Sequence, residues 1–211
     1  MGDPTHIPAH SQEEIAHEPP HRRLYAAPTV TGAPVSDRRE LIDAAALVPL
    51  YRDPAGDLRV VLLRRAEGGP HGGQIAFPGG KLDAADASLM DAALREACEE
   101  IGLSPESATV LETLATIEIN VSGFRLHPFL ARVERPGSWT LAEREVAEVL
   151  EPRVRDLADP GNHDSHMQRF PQWPEPVRIE FIRIGEHQLW GATYRVLKPL
   201  LPKLLAGGWG L

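Results

Sequence analysis

Three glutamates, Glu96, Glu99 and Glu100, stand within five residues of one another in a segment with the pattern of a helix. On a helix of 3.6 residues per turn, their side chains span an arc of about 100°. Carboxylates this close repel one another unless a cation offsets their charge, and hard oxygen ligands suit Mg²⁺ or Mn²⁺. The spacing therefore predicts a divalent metal site for phosphate chemistry.

A helix over residues 86–101 must position these carboxylates. It follows the turn Gly79–Gly80, where backbone carbonyls can approach a metal, and it stops at Gly102. Arg95 stands beside Glu96 and can orient the carboxylates. The opposite arc of the helix is predicted to face the core and carries Met90, Leu94, Ala97, Cys98 and Ile101. A solvated surface helix is the ordinary alternative, but the flanking glycines and Arg95 favour the metal site.

The remaining elements alternate between strands and a few helices, which indicates a mixed α and β class. Strands are predicted over residues 44–51, 58–63, 74–77, 110–119, 124–133 and 177–184. Residues 141–157 are predicted to be partly helical, and residues 158–175 to form a Pro- and His-containing excursion. A closing helix is predicted over residues 191–205, where Pro199 and Pro202 disturb it.

Length and composition predict one domain of ordinary size with terminal extensions. We expect an N-terminal arm over residues 1–40, flexible or loosely packed, a domain over 41–206 and a tail over 207–211. The formal net charge of −8 argues against a broad nucleic-acid surface. The single cysteine, Cys98, fits a reducing compartment. No apolar stretch is long enough for a membrane span, and no secretory signal opens the chain, so we expect a cytoplasmic protein. Monomer and homodimer both stay open.

The helix segment resembles the Nudix box, a glycine followed by REUxEExGU, here Gly80 with REACEEIGL at residues 95–103. Fourteen residues lie between Gly80 and Arg95, one more than in the general box, and Asp86 stands where that box has a glutamate. Both features resemble one branch of the family, the coenzyme A pyrophosphatases. The resemblance implies a Nudix-like α/β/α sandwich, of α+β class, with a mixed sheet and the catalytic helix after the Gly-Gly turn.

A second motif, VLLRRAEGGPHGGQIAFPGG at residues 61–80, resembles the upstream signature of that branch. Its matching positions are Arg65, Ala66, Gly73, Phe77, Pro78, Gly79 and Gly80. The signature's middle arginine is missing, and its loop is one residue shorter. If that arginine contacts phosphate in relatives, His71 or another basic group must replace it. We expect Arg65, His71 and Gly80 to line the substrate site, and Phe77 and Pro78 to shape the turn.

The resemblance implies hydrolysis of the pyrophosphate of coenzyme A to 4′-phosphopantetheine and adenosine 3′,5′-bisphosphate, with Mg²⁺ or Mn²⁺ as cofactor. Glu96 and Glu100 are the expected first ligands, with Glu99 as a further ligand or base and the Gly79 carbonyl as a fourth contact. Arg95 belongs to the same catalytic set. The segment EREVAEV at residues 143–149 resembles an acidic loop near the metals, and we favour Glu145 over Glu143 there.

Two other functions stay open for this sequence. The first is a Nudix hydrolase that acts on ADP-ribose, NADH or nucleoside triphosphates, which the altered upstream signature favours. The second is a non-catalytic Nudix-like domain that binds a nucleotide for regulation, which the intact carboxylates disfavour. Trp190, in a segment that resembles the start of the branch's final helix, is expected to pack in the core rather than to stack on adenine.

Overall fold

The computed structural model describes residues 41–211, apart from 69–70, 120–121 and 171–172. The N-terminal arm predicted over residues 1–40 lies outside the described residues. In the described part of the chain, no helix is long and apolar enough to cross a membrane.

A six-stranded mixed sheet carries the Gly-Gly turn. Its strands are β1 (Ile42–Arg52), β2 (Leu58–Val60), β5 (Gly79–Lys81), β6 (Ala108–Thr113), β7 (Ile117–Ile119) and β8 (Phe124–Val133). Strand β1 runs parallel to β8 and antiparallel to β2 and β5. In the β1–β5 pair, Gly79 lies opposite Ala46 and Gly80 lies opposite Ala45. The centre of β1 therefore fixes the backbone of both glycines.

Two three-stranded antiparallel sheets complete the strands. One contains β3 (Leu62–Arg65), β4 (Ile75–Ala76) and β9 (Val146–Leu150), and the other contains β10 (His163–Gln168), β11 (Val177–Ile184) and β12 (His187–Leu189). The α-helices are α1 (Leu89–Ile101), α2 (Val154–Ala158), α3 (Gly191–Leu197) and α4 (Leu201–Leu205).

Strand β1 is buried on both faces and divides the core into two clusters. Ala46, Val48 and Leu50 belong to the cluster that includes α3 and α4, whereas Ala45 and Leu47 belong to the cluster that includes α1. A strand covered on both faces needs apolar residues at successive positions, which explains the continuous run AAALVPLY. Helices cover both faces of a mixed sheet, so the predicted α+β class is confirmed.

Several predicted element boundaries are wrong. The strand predicted over residues 58–63 is two strands, because Val61 still donates its N–H to the Pro49 carbonyl on β1 at 2.9 Å, whereas Leu62 and the following residues pair with β9. The strand over 110–119 is likewise divided into β6 and β7. Residues 141–157 hold the strand β9 and most of the short helix α2, and β10 lies inside the predicted excursion. The closing helix is interrupted between α3 and α4, where Pro199 lacks an N–H donor.

The last residues of the chain pack against the rest of the fold. Leu211 is buried in the cluster that includes α3 and α4, and Trp209 packs against the same cluster. The indole N–H of Trp209 donates to the Glu112 carboxylate on β6. The segment 207–211, expected as a tail, therefore makes core contacts.

Candidate active site

Helix α1 is defined at both ends by side-chain and backbone caps. The Ser88 hydroxyl accepts the Asp91 N–H at 3.2 Å, which satisfies one free donor of the first turn. Gly102 adopts a left-handed φ of 70°, and its N–H caps the Ala97 and Cys98 carbonyls. Because Ser88 is the N-cap, the helix begins at Leu89, three residues later than predicted. Both caps set the register that determines where the glutamates lie.

The side of α1 that faces the core differs from the predicted side and includes one of the three glutamates. Ala92, Ala93, Ala97, Glu100 and Ile101 are buried, whereas Met90 and Cys98 are exposed. Small alanines let the helix approach the sheet closely, so the carboxylate at position 100 is brought inside with them. The prediction that Met90 and Cys98 face the core is wrong for this reason.

Glu100 is the buried carboxylate of the site, with only 3% of its surface exposed. Its Oε2 accepts the Gly79 N–H at 2.9 Å. The pKa of Glu100 is raised to about 7, chiefly by burial and also by the charges of Glu96 and Glu145, against the Gly79 hydrogen bond and the Arg65 charge. Among the described residues, no cationic side chain forms a salt bridge with Glu100. The fold thus buries a carboxylate that no cation of the described segments pairs directly.

Glu96 lies against Gly80. A Cβ at Gly80 would overlap the carboxylate of Glu96, so only glycine leaves room for this side chain. Burial raises the pKa of Glu96, and the Glu99 and Glu145 charges act in the same direction, while Arg95 opposes them. Glu96 and Glu100 therefore both contact the turn that the sequence places before the helix.

Arg95 connects the site to the loop before the helix. Its guanidinium binds Asp86 through two bonds, Nε to Oδ1 at 2.9 Å and Nη2 to Oδ2 at 3.1 Å. Nη1 lies 3.0 Å from Glu96 Oε1 and 3.1 Å from Glu99 Oε2. Two parallel bonds to one carboxylate fix the plane of the guanidinium. Arg95 therefore holds Glu96 and Glu99 by a side chain that Asp86 itself fixes.

Glu99 differs from the other two glutamates. Its side chain is 60% exposed and is held by Arg95 rather than by the glycine turn. The described residues contain no group of three histidine, cysteine, aspartate or glutamate side chains already arranged to hold a metal ion. Glu96 and Glu100 both lie at the glycine turn, whereas Glu99 lies at the outer edge of the site.

Arg65 and Glu145 reach the same site from a different sheet. Arg65 pairs with Val146 between β3 and β9, and the Ala66 N–H donates to the Glu145 carbonyl at 2.8 Å. The charge of Arg65 lowers the pKa of Glu100, and the charge of Glu145 raises it. Glu143 is not among the main influences on the pKa of Glu96 or of Glu100. Arg65 and Glu145 therefore share one electrostatic environment with the glutamates of α1.

His71 lies on an exposed part of the loop between β3 and β4. Its carbonyl accepts the Gln74 N–H at 3.2 Å, and the Gly73 N–H donates to the Arg65 carbonyl at 3.0 Å. These bonds fold the loop back on the end of β3. The structure thus places the His71 backbone close to the end of β3 and leaves the residue exposed.

The pairing of Asp86 with Arg95 was missed by the sequence reasoning, which noted Asp86 only as a departure from the box. Asp86 lies nine residues before Arg95 and outside the helix, so helical periodicity does not connect them. An acidic residue in the loop that leads into an arginine-bearing helix was the available signal.

Comparison with known proteins identifies the family. The NUDIX domain model matches residues 41–173. The Nudix hydrolase NudL of Salmonella heidelberg (strain SL476) is 31% identical over 177 residues, which cover 82% of this chain and 86% of the relative. Its counterpart from Salmonella paratyphi B is 32% identical over 161 residues, 74% of this chain and 80% of the relative.

Solved structures match the fold. A NUDIX hydrolase from Nitrosomonas europaea superposes with a TM-score of 0.54 at 14% identity, over 82% of this chain and 76% of that one. A MutT/nudix family protein from Enterococcus faecalis gives a TM-score of 0.51 at 20% identity, over 83% of this chain and 65% of that one. These structures show the fold, and the family model and the relatives show that the chain belongs to the Nudix hydrolase family and is a pyrophosphohydrolase enzyme.

Proposed function

We propose that this enzyme hydrolyses the pyrophosphate bond of coenzyme A and its derivatives, with Mg²⁺ or Mn²⁺ as cofactor. The metal-dependent chemistry is supported chiefly by the environment of Glu100, a buried carboxylate with no salt-bridge partner among the described residues. The charges of Glu96 and Glu145 contribute to its raised pKa. Clustered carboxylates in a partly dry site are stabilised by a divalent cation.

The donor atoms fit such a cation. Glu96, Glu100 and Glu99 offer carboxylate oxygens, and we assign the Gly79 carbonyl as a further contact. The set contains only hard oxygen donors, which Mg²⁺ and Mn²⁺ prefer over softer metals. When bound, the ion would supply charge neutralisation of the phosphate oxygens and a lower pKa for a bound water.

The protein residues would supply position and proton transfer. Arg65 is assigned to a phosphate oxygen of the substrate, because its charge already acts on the carboxylate site. Glu145, or Glu99, is assigned as the general base that takes a proton from the attacking water. Arg95 is a positioning residue, since it holds Glu96 and Glu99 while Asp86 holds it.

The substrate assignment is supported by the sequence features of the coenzyme A branch, namely the longer box and the FPGG approach from Arg65. The missing arginine of the upstream signature favours the competing substrates ADP-ribose, NADH or nucleoside triphosphates. Nothing in the described loop replaces that arginine apart from the exposed His71.

A substrate panel tests this assignment. Purified enzyme with Mg²⁺ or Mn²⁺ is given coenzyme A, oxidised coenzyme A, ADP-ribose, NADH and deoxynucleoside triphosphates, and kcat/KM is compared while products are identified by mass spectrometry. We expect coenzyme A or its oxidised form to rank first and to yield 4′-phosphopantetheine. A ranking with coenzyme A last would overturn the assignment and favour the competing substrates.

The phosphate role of Arg65 has its own control in His71. Arg65→Ala is expected to raise KM for the best substrate of the panel about tenfold or more, because a charge-assisted contact is lost. His71→Ala is expected to change KM less, since His71 is exposed and is not among the main charges that act on Glu100. Equal effects of the two substitutions would assign phosphate contact to the loop as a whole.

A further inference from the structure

Three aromatic side chains pack together outside the core. The rings of Phe170 and Trp173 lie 5.4 Å apart in an edge-to-face arrangement, and those of Phe170 and Trp190 lie 6.2 Å apart. All three residues are partly exposed, and none belongs to either core cluster or packs against one. The expectation that Trp190 packs in the core is therefore wrong.

These three rings differ from five other aromatic rings of the fold in their contacts with cations. Elsewhere in the fold, a lysine or arginine lies over the rings of Phe124, Trp139, Phe181, Tyr194 and Trp209. Within the ranges that the structure describes, no such cation lies over Phe170, Trp173 or Trp190. Partly exposed aromatic rings offer apolar surface to a flat ligand.

The aromatic cluster adjoins the sheet that carries Arg65. Trp190 is the N-cap residue of α3, and the Thr193 hydroxyl of that helix donates to the Ile75 carbonyl on β4 at 3.0 Å. Ile75 itself precedes Gly79 by four residues. The first turn of α3 is therefore tied to the strand that leads into the glycine turn.

A second connection fixes the preceding strand. His187 on β12 lies 3.4 Å from the Glu148 carboxylate on β9, and the same carboxylate accepts Arg64 Nε at 2.5 Å. Arg64 directly precedes Arg65 on β3. Glu148 lies on β9, the strand that follows Glu145. The segment 187–190 thus lies along the sheet that bears two of the proposed site residues.

From this placement we infer that Phe170, Trp173 and Trp190 form a stacking surface for the purine base of the substrate, with Arg65 at its phosphate end. The inference rests on the proposed function, because a nucleoside diphosphate-linked substrate presents a flat base on one side of its pyrophosphate. Aromatic side chains bind bases through their ring faces, a contact that contributes substantially to affinity. The surface determines specificity for a base and takes no part in bond cleavage.

Calorimetric titration of the intact protein with two matched probes tests this inference. AMP and ribose 5-phosphate share the sugar phosphate and differ in the base. Wild-type protein is expected to bind AMP more tightly, and Trp173→Leu and Phe170→Leu are each expected to weaken AMP binding about tenfold, which corresponds to about 1.4 kcal/mol. Binding of ribose 5-phosphate is expected to stay unchanged.

Two further variants control for folding. Trp173→Phe keeps an aromatic face and is expected to retain most of the AMP affinity. If Trp173 had only a structural role, Trp173→Phe and Trp173→Leu would both lower the AMP affinity. Trp139→Leu removes a tryptophan that lies under Arg135 and is expected to leave AMP binding unchanged. Thermal unfolding of every variant shows whether a loss of affinity accompanies a loss of fold.

The outcomes separate this inference from the proposed function. Equal wild-type affinity for AMP and ribose 5-phosphate, or full AMP affinity in both leucine variants, would overturn the stacking surface. Base-dependent binding that the leucine substitutions abolish would support it even if coenzyme A is not hydrolysed. In that case the substrate assignment alone fails, because binding of AMP requires no turnover.

Discussion

Gly80 and the carboxylate of Glu96 are in direct contact, with no space between them for a side-chain carbon. Gly79, its neighbour, is equally confined, but by the backbone and side chain of Ala45 and Ala46 on β1. Two adjacent glycines are therefore required for different reasons. One leaves room for the Glu96 carboxylate, and the other lets two strands approach.

This difference predicts opposite effects for two matched substitutions. Gly80→Ala displaces the end of a flexible side chain, so we expect kcat/KM to fall at least tenfold while the thermal midpoint changes little. Gly79→Ala meets fixed backbone, so we expect a loss of stability of about 1–3 kcal/mol. Denaturant unfolding and steady-state kinetics on both variants measure the two effects. Strong destabilisation by Gly80→Ala would contradict the assignment.

Glu100→Gln is expected to make the metal-free protein more stable and the enzyme inactive. Because folding raises the pKa of Glu100 from 4.5 to about 7, its ionisation opposes folding, and the penalty grows as the pH rises between these values. At pH 8 the variant should gain stability, with an upper bound on the order of 3 kcal/mol. At pH 4 the two proteins should be equally stable.

Urea unfolding in EDTA at pH 4 and pH 8 measures this difference. Turnover with Mg²⁺ at pH 8 is expected to fall by orders of magnitude in the same variant, because the neutral amide cannot replace a charged ligand. A variant that hydrolyses substrate at nearly the wild-type rate would show that the helix is wrongly assigned.

Arg95→Lys tests the positioning role of the guanidinium. Lysine keeps the charge but cannot bind Asp86 through two parallel bonds while also contacting Glu96 and Glu99. We expect the concentration of Mg²⁺ needed for half-maximal activity to rise about 10–100-fold, the range typical for residues that orient metal ligands. Asp86→Asn should shift the same metal dependence in the same direction, by less. Unchanged metal dependence in both variants would remove Arg95 from the positioning role.

Glu145 and Glu143 form a matched pair on one loop. Only Glu145 is among the main charges that raise the pKa of Glu96 and Glu100. We therefore expect Glu145→Gln to lower kcat at least tenfold and Glu143→Gln to leave it within about twofold. The pH dependence of kcat for each variant tells a lost base from a lost contact. A larger effect at Glu143 would reverse the assignment.

Much of the helix and its glycine turn could be predicted from the sequence because the signals are local. The three glutamates and Gly102 lie within a few residues, and β1 and β8 are long apolar strands whose bounds follow from composition. The buried side of α1 could not be predicted, since it depends on how closely alanines let the helix approach the sheet. Helical periodicity alone predicts that Met90 and Cys98 face the core.

Contacts between distant segments could not be predicted from local sequence patterns either. Arg65 and Glu145 are eighty residues apart, and only the β3–β9 pairing brings them side by side. Phe170 and Trp190 meet through the fold of the last third of the chain. No periodicity connects such pairs, so their positions required the structure.

The passage of the chain from one sheet to the other at Val61 has a consequence for the way the enzyme holds its substrate. The glycines of the turn lie in the large sheet, whereas Arg65 and the strand that follows Glu145 lie in the sheet of β3, β4 and β9, so a seam between two sheets runs through the site. A molecule bound across the seam would join two separately hydrogen-bonded layers. Such a molecule would oppose separation of the two sheets. Hydrogen exchange of the β3 and β5 amides should therefore slow together when it binds.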